Sequence, residues 1–104
     1  MRASVGSNQV VRGSTIQVRD LVTASQNASA LVDIAIYDQT WHKVYQRFWD
    51  NQSFSAGKTR QFSTTWSVPL TAAPGTYTVM IGVFGPGWTS VYSFNNGAAT
   101  FAVR

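Results

Sequence analysis

Four carboxylates, Asp20, Asp33, Asp38 and Asp50, make up the whole acidic complement of this 104-residue chain, which has no glutamate, no cysteine and one histidine, His42. Acid–base cleavage of a glycosidic bond needs two carboxyl groups facing each other. Asp38 and Asp50 fall at turn positions, where an Asp side chain bonds its own backbone, and Asp20 falls at an irregular point of a strand. Only Asp33 stands in mid-strand, pointing away from the core, free either to bond a ligand hydroxyl or to be solvated. A Ser–His–Asp relay would hang on His42, exposed beside Trp41 at a predicted hairpin turn. Without cysteine there is no thiolate, disulfide or thiolate-held metal. Gly85-Pro86-Gly87 leads into a strand and carries no Lys-Ser/Thr, so it does not read as a phosphate loop. The expectation is a chain with no catalytic residues, no metal and no cofactor.

What the chain has in surplus is aromatic: four Trp, four Tyr and six Phe. A domain this small has no room for all of them inside, so the side-chain alternation of strands should divide core from surface. Apolar residues recur with period 2 almost throughout. Ile16, Val18 and Leu21 or Val22 mark one strand; Val32, Ile34 and Ile36 mark the next. Asp38-Gln39-Thr40 is a turn, after which the chain returns through Val44 to Phe48 as a hairpin. A second turn at Ala56-Gly57-Lys58 precedes a strand with Phe62, Thr64, Trp66 and Val68 on one side, stopped by Pro69. Ala73-Pro74-Gly75 feeds the strongest strand, with Tyr77, Val79, Ile81 and Val83 facing one way and Thr78, Met80, Gly82 and Phe84 the other. Gly85-Pro86-Gly87 breaks it, Val91-Tyr92 marks a short strand, Asn95-Asn96-Gly97 a tight turn, and Ala99, Phe101 and Val103 a closing strand.

These spacings predict an all-β fold over residues 1–104 as one domain. It should be a two-sheet antiparallel β-sandwich of immunoglobulin-like or jelly-roll type with seven to eight strands, a small closed barrel being the alternative. Trp66, Phe62, Tyr77, Phe101 and Phe54 are in register with aliphatic core positions. Tyr37 and Phe84 are out of phase with theirs. Tyr45, Arg47 and Trp49 oppose Val44, Gln46 and Phe48 and read as the outward set. Trp41 and Trp88 sit at turns, and Tyr92 is out of phase with Val91. Ala35 and Gly82 would leave a flat floor between these rings, an exposed apolar patch of the kind that marks a binding site. Flat π faces suit the axial C–H face of a β-linked glucose ring, with Asp33, Arg47, Gln46, Asn95 and Thr89 as rim candidates for its hydroxyls.

Charged residues are 12% of the chain, the formal net charge is +4 and the pI is near 10. The bases Arg2, Arg12, Arg19, Lys43, Arg47, Lys58, Arg60 and Arg104 form no run, which argues against nucleic acid as a partner. No stretch approaches the length of a membrane span. The low charge suits a secreted, extracellular β-domain acting as a monomer. The opening Met1-Arg2-Ala3 lacks a leader's apolar stretch, so an exported form implies a leader upstream.

Several segments together resemble a known family: Trp49-Asp50-Asn51-Gln52-Ser53-Phe54-Ser55-Ala56-Gly57, Thr65-Trp66-Ser67-Val68-Pro69, Pro74-Gly75-Thr76-Tyr77-Thr78-Val79, and Gly82-Val83-Phe84 with Trp88 and the ending from Asn95 to Phe101. From about Leu31 onward the chain resembles the β-sandwich carbohydrate-binding modules appended to bacterial glycoside hydrolases, most of all family 81, found on an endoglucanase. The resemblance implies binding of β-1,4-glucan, cello-oligosaccharide, mixed-linkage β-glucan and xyloglucan on a planar site along the strands, with a tethered endoglucanase catalytic domain as neighbour. Strand alternation and the family's planar site agree on the surface aromatics Trp41, Trp88, Tyr92, Tyr45, Trp49, Tyr37 and Phe84 as the candidate site. The rival expectation is a structural domain that braces a catalytic neighbour without binding sugar.

Overall fold

The computed structural model describes residues 1–104. Eight strands follow in order: β1 (Arg2–Val5), β2 (Gln9–Val10), β3 (Thr15–Thr23), β4 (Ala28–Tyr37), β5 (Lys43–Phe54), β6 (Thr59–Ser67), β7 (Gly75–Phe84) and β8 (Val91–Val103), with one 3-10 turn at Pro86–Trp88. They form two sheets, a three-stranded one in the order β1-β3-β6 and a five-stranded one in the order β2-β8-β7-β4-β5. All pairings are antiparallel except β2 with β8, a short parallel pair at the sheet edge.

The inner faces meet in a core that alternation predicts well. β3 contributes Ile16 and Val18 and β6 contributes Trp66, packed against Ile34 and Ile36 of β4, Tyr77, Val79 and Ile81 of β7, and Phe101 and Val103 of β8. Tyr77 stacks on Phe101 with ring centroids 5.8 Å apart, and Trp66 lies against both at 5.6 and 6.2 Å. A second cluster, Val22, Ala30, Val32, Phe54, Phe62 and Val83, closes one end, and Trp49 packs against both. The Tyr77 hydroxyl donates to the Ala73 carbonyl at 2.7 Å, which fixes the crossing from β6 to β7.

Three features of the structure depart from the expectations or lie outside them. The first ten residues, without strong alternation, supply β1 to one sheet and β2 to the other. Asn95-Asn96-Gly97 is not a turn between strands, because β8 runs unbroken from Val91 to Val103. Between the pairs Ile81↔Asn95 and Val79↔Ala99, β7 uses one residue where β8 uses three, so the segment is a bulge. The Asn95 side chain accepts the Gly97 N–H at 3.0 Å, the local bond that reads as a turn in sequence.

The third is Asp20. It is no irregularity: β3 is continuous, and Asp20 takes the inward position between Val18 and Val22, opposite Phe62. The residue is fully buried and neither carboxylate oxygen has a hydrogen-bond partner. Burial pushes its pKa up to about 6, partly offset by the N-terminal ammonium and the Arg2 backbone N–H. A raised carboxyl pKa means the folded state prefers the proton. Stability is therefore greatest below the ordinary value of 3.8, falls as pH rises through about 6, and stays lower above it.

Urea unfolding at pH 7.5 should accordingly find Asp20→Asn more stable than wild type by on the order of 2 kcal/mol. Its stability should also lose the decline between pH 4 and pH 6. In the same assay Trp66→Ala should cost about 3–5 kcal/mol through the cavity it leaves.

Candidate binding face

The outer face of the five-stranded sheet carries the candidate site. Because directly paired residues point the same way, the register reads across the strands in rows. One row is Phe48 (β5), Asp33 (β4), Gly82 (β7) and Phe94 (β8). The next has Gln46, Ala35 and Met80, and beyond it come Lys43, Tyr37 and Thr78. On the other side of the first row lie Leu31, Phe84 and Val91.

At one end of this face four rings gather. Phe84 meets Trp88 at 4.9 Å between centroids and Phe94 at 6.4 Å, and Phe48 meets Trp88 edge-on at 5.3 Å. Phe48, Trp88 and Phe94 are 50%, 44% and 52% exposed, so each seals the floor with one side and offers the other to solvent. Ala35 and Gly82 keep the floor beneath these rings free of large side chains. A Cβ on Gly82 would stand 2.6 Å from the Phe84 ring, so glycine is what lets that ring lie down across the strand. At the other end Trp41, 61% exposed, leans on Tyr37 with centroids 6.0 Å apart. Tyr37 lies six residues along β4 from Leu31, so the two aromatic ends are about 20 Å apart along the strand direction.

Between them runs a polar relay. Lys43 Nζ donates to Gln46 Oε1 at 3.2 Å, and Gln46 Nε2 donates to Asp33 Oδ1 at 3.0 Å. Asp33 itself is buried, not solvated. Burial raises its pKa, while the Gln46 hydrogen bond and the Lys43 charge pull it back down. The polar groups this face leaves exposed are therefore the amide of Gln46 and the ammonium of Lys43, with Asp33 orienting the amide from below.

Of the residues singled out from sequence, this face brings together Tyr37, Trp41, Phe84, Trp88 and Asp33. Tyr45, Arg47 and Trp49 are placed on the opposite side of β5. They pair with Ile36, Ile34 and Val32, which face the core. The Tyr45 hydroxyl bonds Thr64, Trp49 packs on Phe62 at 5.3 Å, and the Arg47 guanidinium lies 5.0 Å over the Trp49 ring. Tyr92 also leaves the face, lining a cavity of about 420 Å³ with Val22, Phe54 and Val83 at the end of the molecule.

The physical reason in β5 is that from Lys43 to Trp49 no side chain on either side is fully buried. There inward side chains are half covered and outward ones can be apolar, so alternation carries no sign. Phe48 and Phe94 are the residues the sequence reading missed. A glycine in mid-strand at Gly82 was the available signal, since such a glycine marks a ring or backbone lying close.

No family model matches this chain, and neither does any curated protein sequence. Solved structures do. The C-terminal domain of Wzt superposes with a TM-score of 0.78 at 13% identity, over 98% of this chain and 70% of that one. The alkylpurine DNA glycosylase AlkC of Pseudomonas fluorescens, solved bound to DNA containing an abasic site analog, gives 0.64 at 19% identity over 99% of this chain and 30% of its own. What these chains share is a fold.

Substituting Gly82→Ala should displace the Phe84 ring and lower stability by about 1–3 kcal/mol. A shifted Trp88 fluorescence maximum should accompany the loss, since Trp88 rests on Phe84.

Proposed function

We propose that the outer face of the five-stranded sheet is a non-catalytic binding surface for β-linked glucan, taking β-1,4 and mixed-linkage chains, cello-oligosaccharides and xyloglucan. On this reading the domain anchors an attached glycoside hydrolase to plant cell-wall polysaccharide outside the cell. The observation that carries it is the gathering of Phe48, Trp88 and Phe94 around Phe84 on the outer sheet face, with Gln46 and Lys43 beside them. An equatorially substituted pyranose presents an apolar C–H face to such rings and hydroxyls at its edges to such polar groups. If each ring covers about 100 Å² of apolar surface it contributes on the order of 2 kcal/mol. After the cost of association, two or three rings correspond to roughly micromolar to millimolar affinity. Tethering to an enzyme on a polymer makes such weak binding effective.

The strand orders β1-β3-β6 and β8-β7-β4-β5, with Tyr77 bonding back to Ala73 at the start of β7, favour an immunoglobulin-like sandwich over a jelly roll. The likeness to carbohydrate-binding family 81 belongs with this reading as its sequence-level support.

Affinity electrophoresis in gels containing barley β-glucan or xyloglucan tests the proposal. Wild type should be retarded, and migration matching a blank gel for every polymer would sink it. Trp88→Ala and Phe48→Ala should each weaken binding by about 1–3 kcal/mol, whereas Trp49→Ala should lower stability first. Retardation should be indifferent to salt, unlike the steep salt dependence of a nucleic-acid complex.

A further inference from the structure

Trp41 and Trp88, at opposite ends of the face, share a backbone peculiarity. Both lie in the left-handed region, with φ of 64° and 66°, and Asn51 at 51° is the one other non-glycine residue there. This conformation is native to glycine and tolerated by asparagine, and a bulky side chain is disfavoured in it. Neither tryptophan repays that cost by filling the core, for both are exposed. A glycine would make either turn more easily, so the indole itself is what these positions require.

Each strained tryptophan is flanked by backbone that one aspartate holds. Asp38 Oδ1 accepts the Thr40 N–H at 2.9 Å, the Thr40 hydroxyl at 2.8 Å and the His42 N–H at 3.0 Å, tying down the residues before and after Trp41. The Trp41 N–H donates in turn to the Asp38 carbonyl at 3.1 Å. Asp50 Oδ1 accepts the Asn51 N–H at 2.8 Å and, across the sequence from β5, the Gly87 N–H at 2.9 Å, immediately before Trp88. The Trp88 N–H donates to the Gly85 carbonyl at 3.0 Å. Both indoles then lean on a sheet ring, Trp41 on Tyr37 and Trp88 on Phe84.

We propose that Asp38 and Asp50 are positioning residues, each locking the turn that carries an exposed tryptophan so that Trp41 and Trp88 are held in a set pose before a ligand arrives. The consequence for binding rests on the glycan reading above. Rings already fixed lose little rotamer freedom on meeting a sugar, so the carboxylates raise affinity without touching it.

The test uses the whole chain, ¹⁵N-labelled, with cellohexaose as probe. Asp50→Ala should lower the indole ¹⁵N heteronuclear NOE of Trp88 alone, and Asp38→Ala that of Trp41 alone. Each should weaken cellohexaose binding about 5- to 30-fold while leaving the other indole ordered. Asp50→Asn and Asp38→Asn keep an acceptor oxygen and should restore both readouts. In a Trp88→Ala background, Asp50→Ala should have no further effect on affinity.

Unchanged indole order in the Ala variants would overturn the proposal. So would Asn variants that behave like Ala, or an Asp50→Ala penalty that persists without Trp88. Should wild type ignore cellohexaose while the NOE losses occur as described, the glucan reading falls and the positioning role stands.

Discussion

Residues Ala30 to Ile36 of β4 are buried without a break, on the outer face of the sheet as well as the inner. Its neighbour β7 is likewise buried from Val79 to Val83. Antiparallel sheets ordinarily keep one face for the core and give the other to water. Here the outer positions Leu31, Ala35, Met80 and Gly82 are apolar, and what covers them is a layer one side chain deep. Phe48, Phe84, Trp88 and Phe94 lie across the central strands at one end, with Gln46 on Asp33 beside them. A layer that thin shields the floor with its lower surface and exposes its upper one, so the need to cover β4 and β7 is also what creates an exposed aromatic surface.

The scarcity of acid shapes how the rest is held. Each aspartate is committed within the chain: Asp33 to Gln46, Asp38 to the Trp41 turn, Asp50 to the Trp88 turn, and Asp20 to the interior. The sole acid–base contact is His42 with Asp38 at 3.9 Å. Arg47 and Arg60 find aromatic faces instead, Arg47 on Trp49 and Arg60 on Phe54 and Phe62. Carboxylates here are used as backbone hydrogen-bond acceptors more than as ion-pair partners. That use suits a face whose prominent rings stand on turns, because a turn needs acceptors for its free N–H groups.

Alternation separated core from surface along β4, β6 and β7 and at the far ends of β5 and β8. Trp66, Tyr77, Phe101, Phe62 and Phe54 are buried as their phase demands, and Phe84, Tyr37, Ala35 and Gly82 fall on the outer face. It failed in β5 and near Tyr92. From Lys43 to Trp49 of β5 the residues on both sides are exposed or half-buried, so an apolar residue there does not report which side is the core. It failed again at Asn95-Asn96-Gly97, where the side-chain-to-backbone bond of a turn and that of a bulge have the same residues. The N-terminal strands were illegible because β2 is two residues long and owes its place to pairing with β8.

The sequence by itself determined the strand-forming period, the buried aromatic set, the turns at Asp38 and Gly85, and the small-residue floor. Each of these depends on side chains a few positions apart. Only the tertiary structure decided which rings share a face, since that follows from register between strands distant in sequence. Phe48 lies across from Phe94 because Asp33 and Gly82 stand between them, and Trp88 joins them because Asp50 reaches the Gly87 N–H. A shift of one residue in either pairing turns every such side chain to the other side of the sheet, and no local pattern in β5 or β8 encodes that choice.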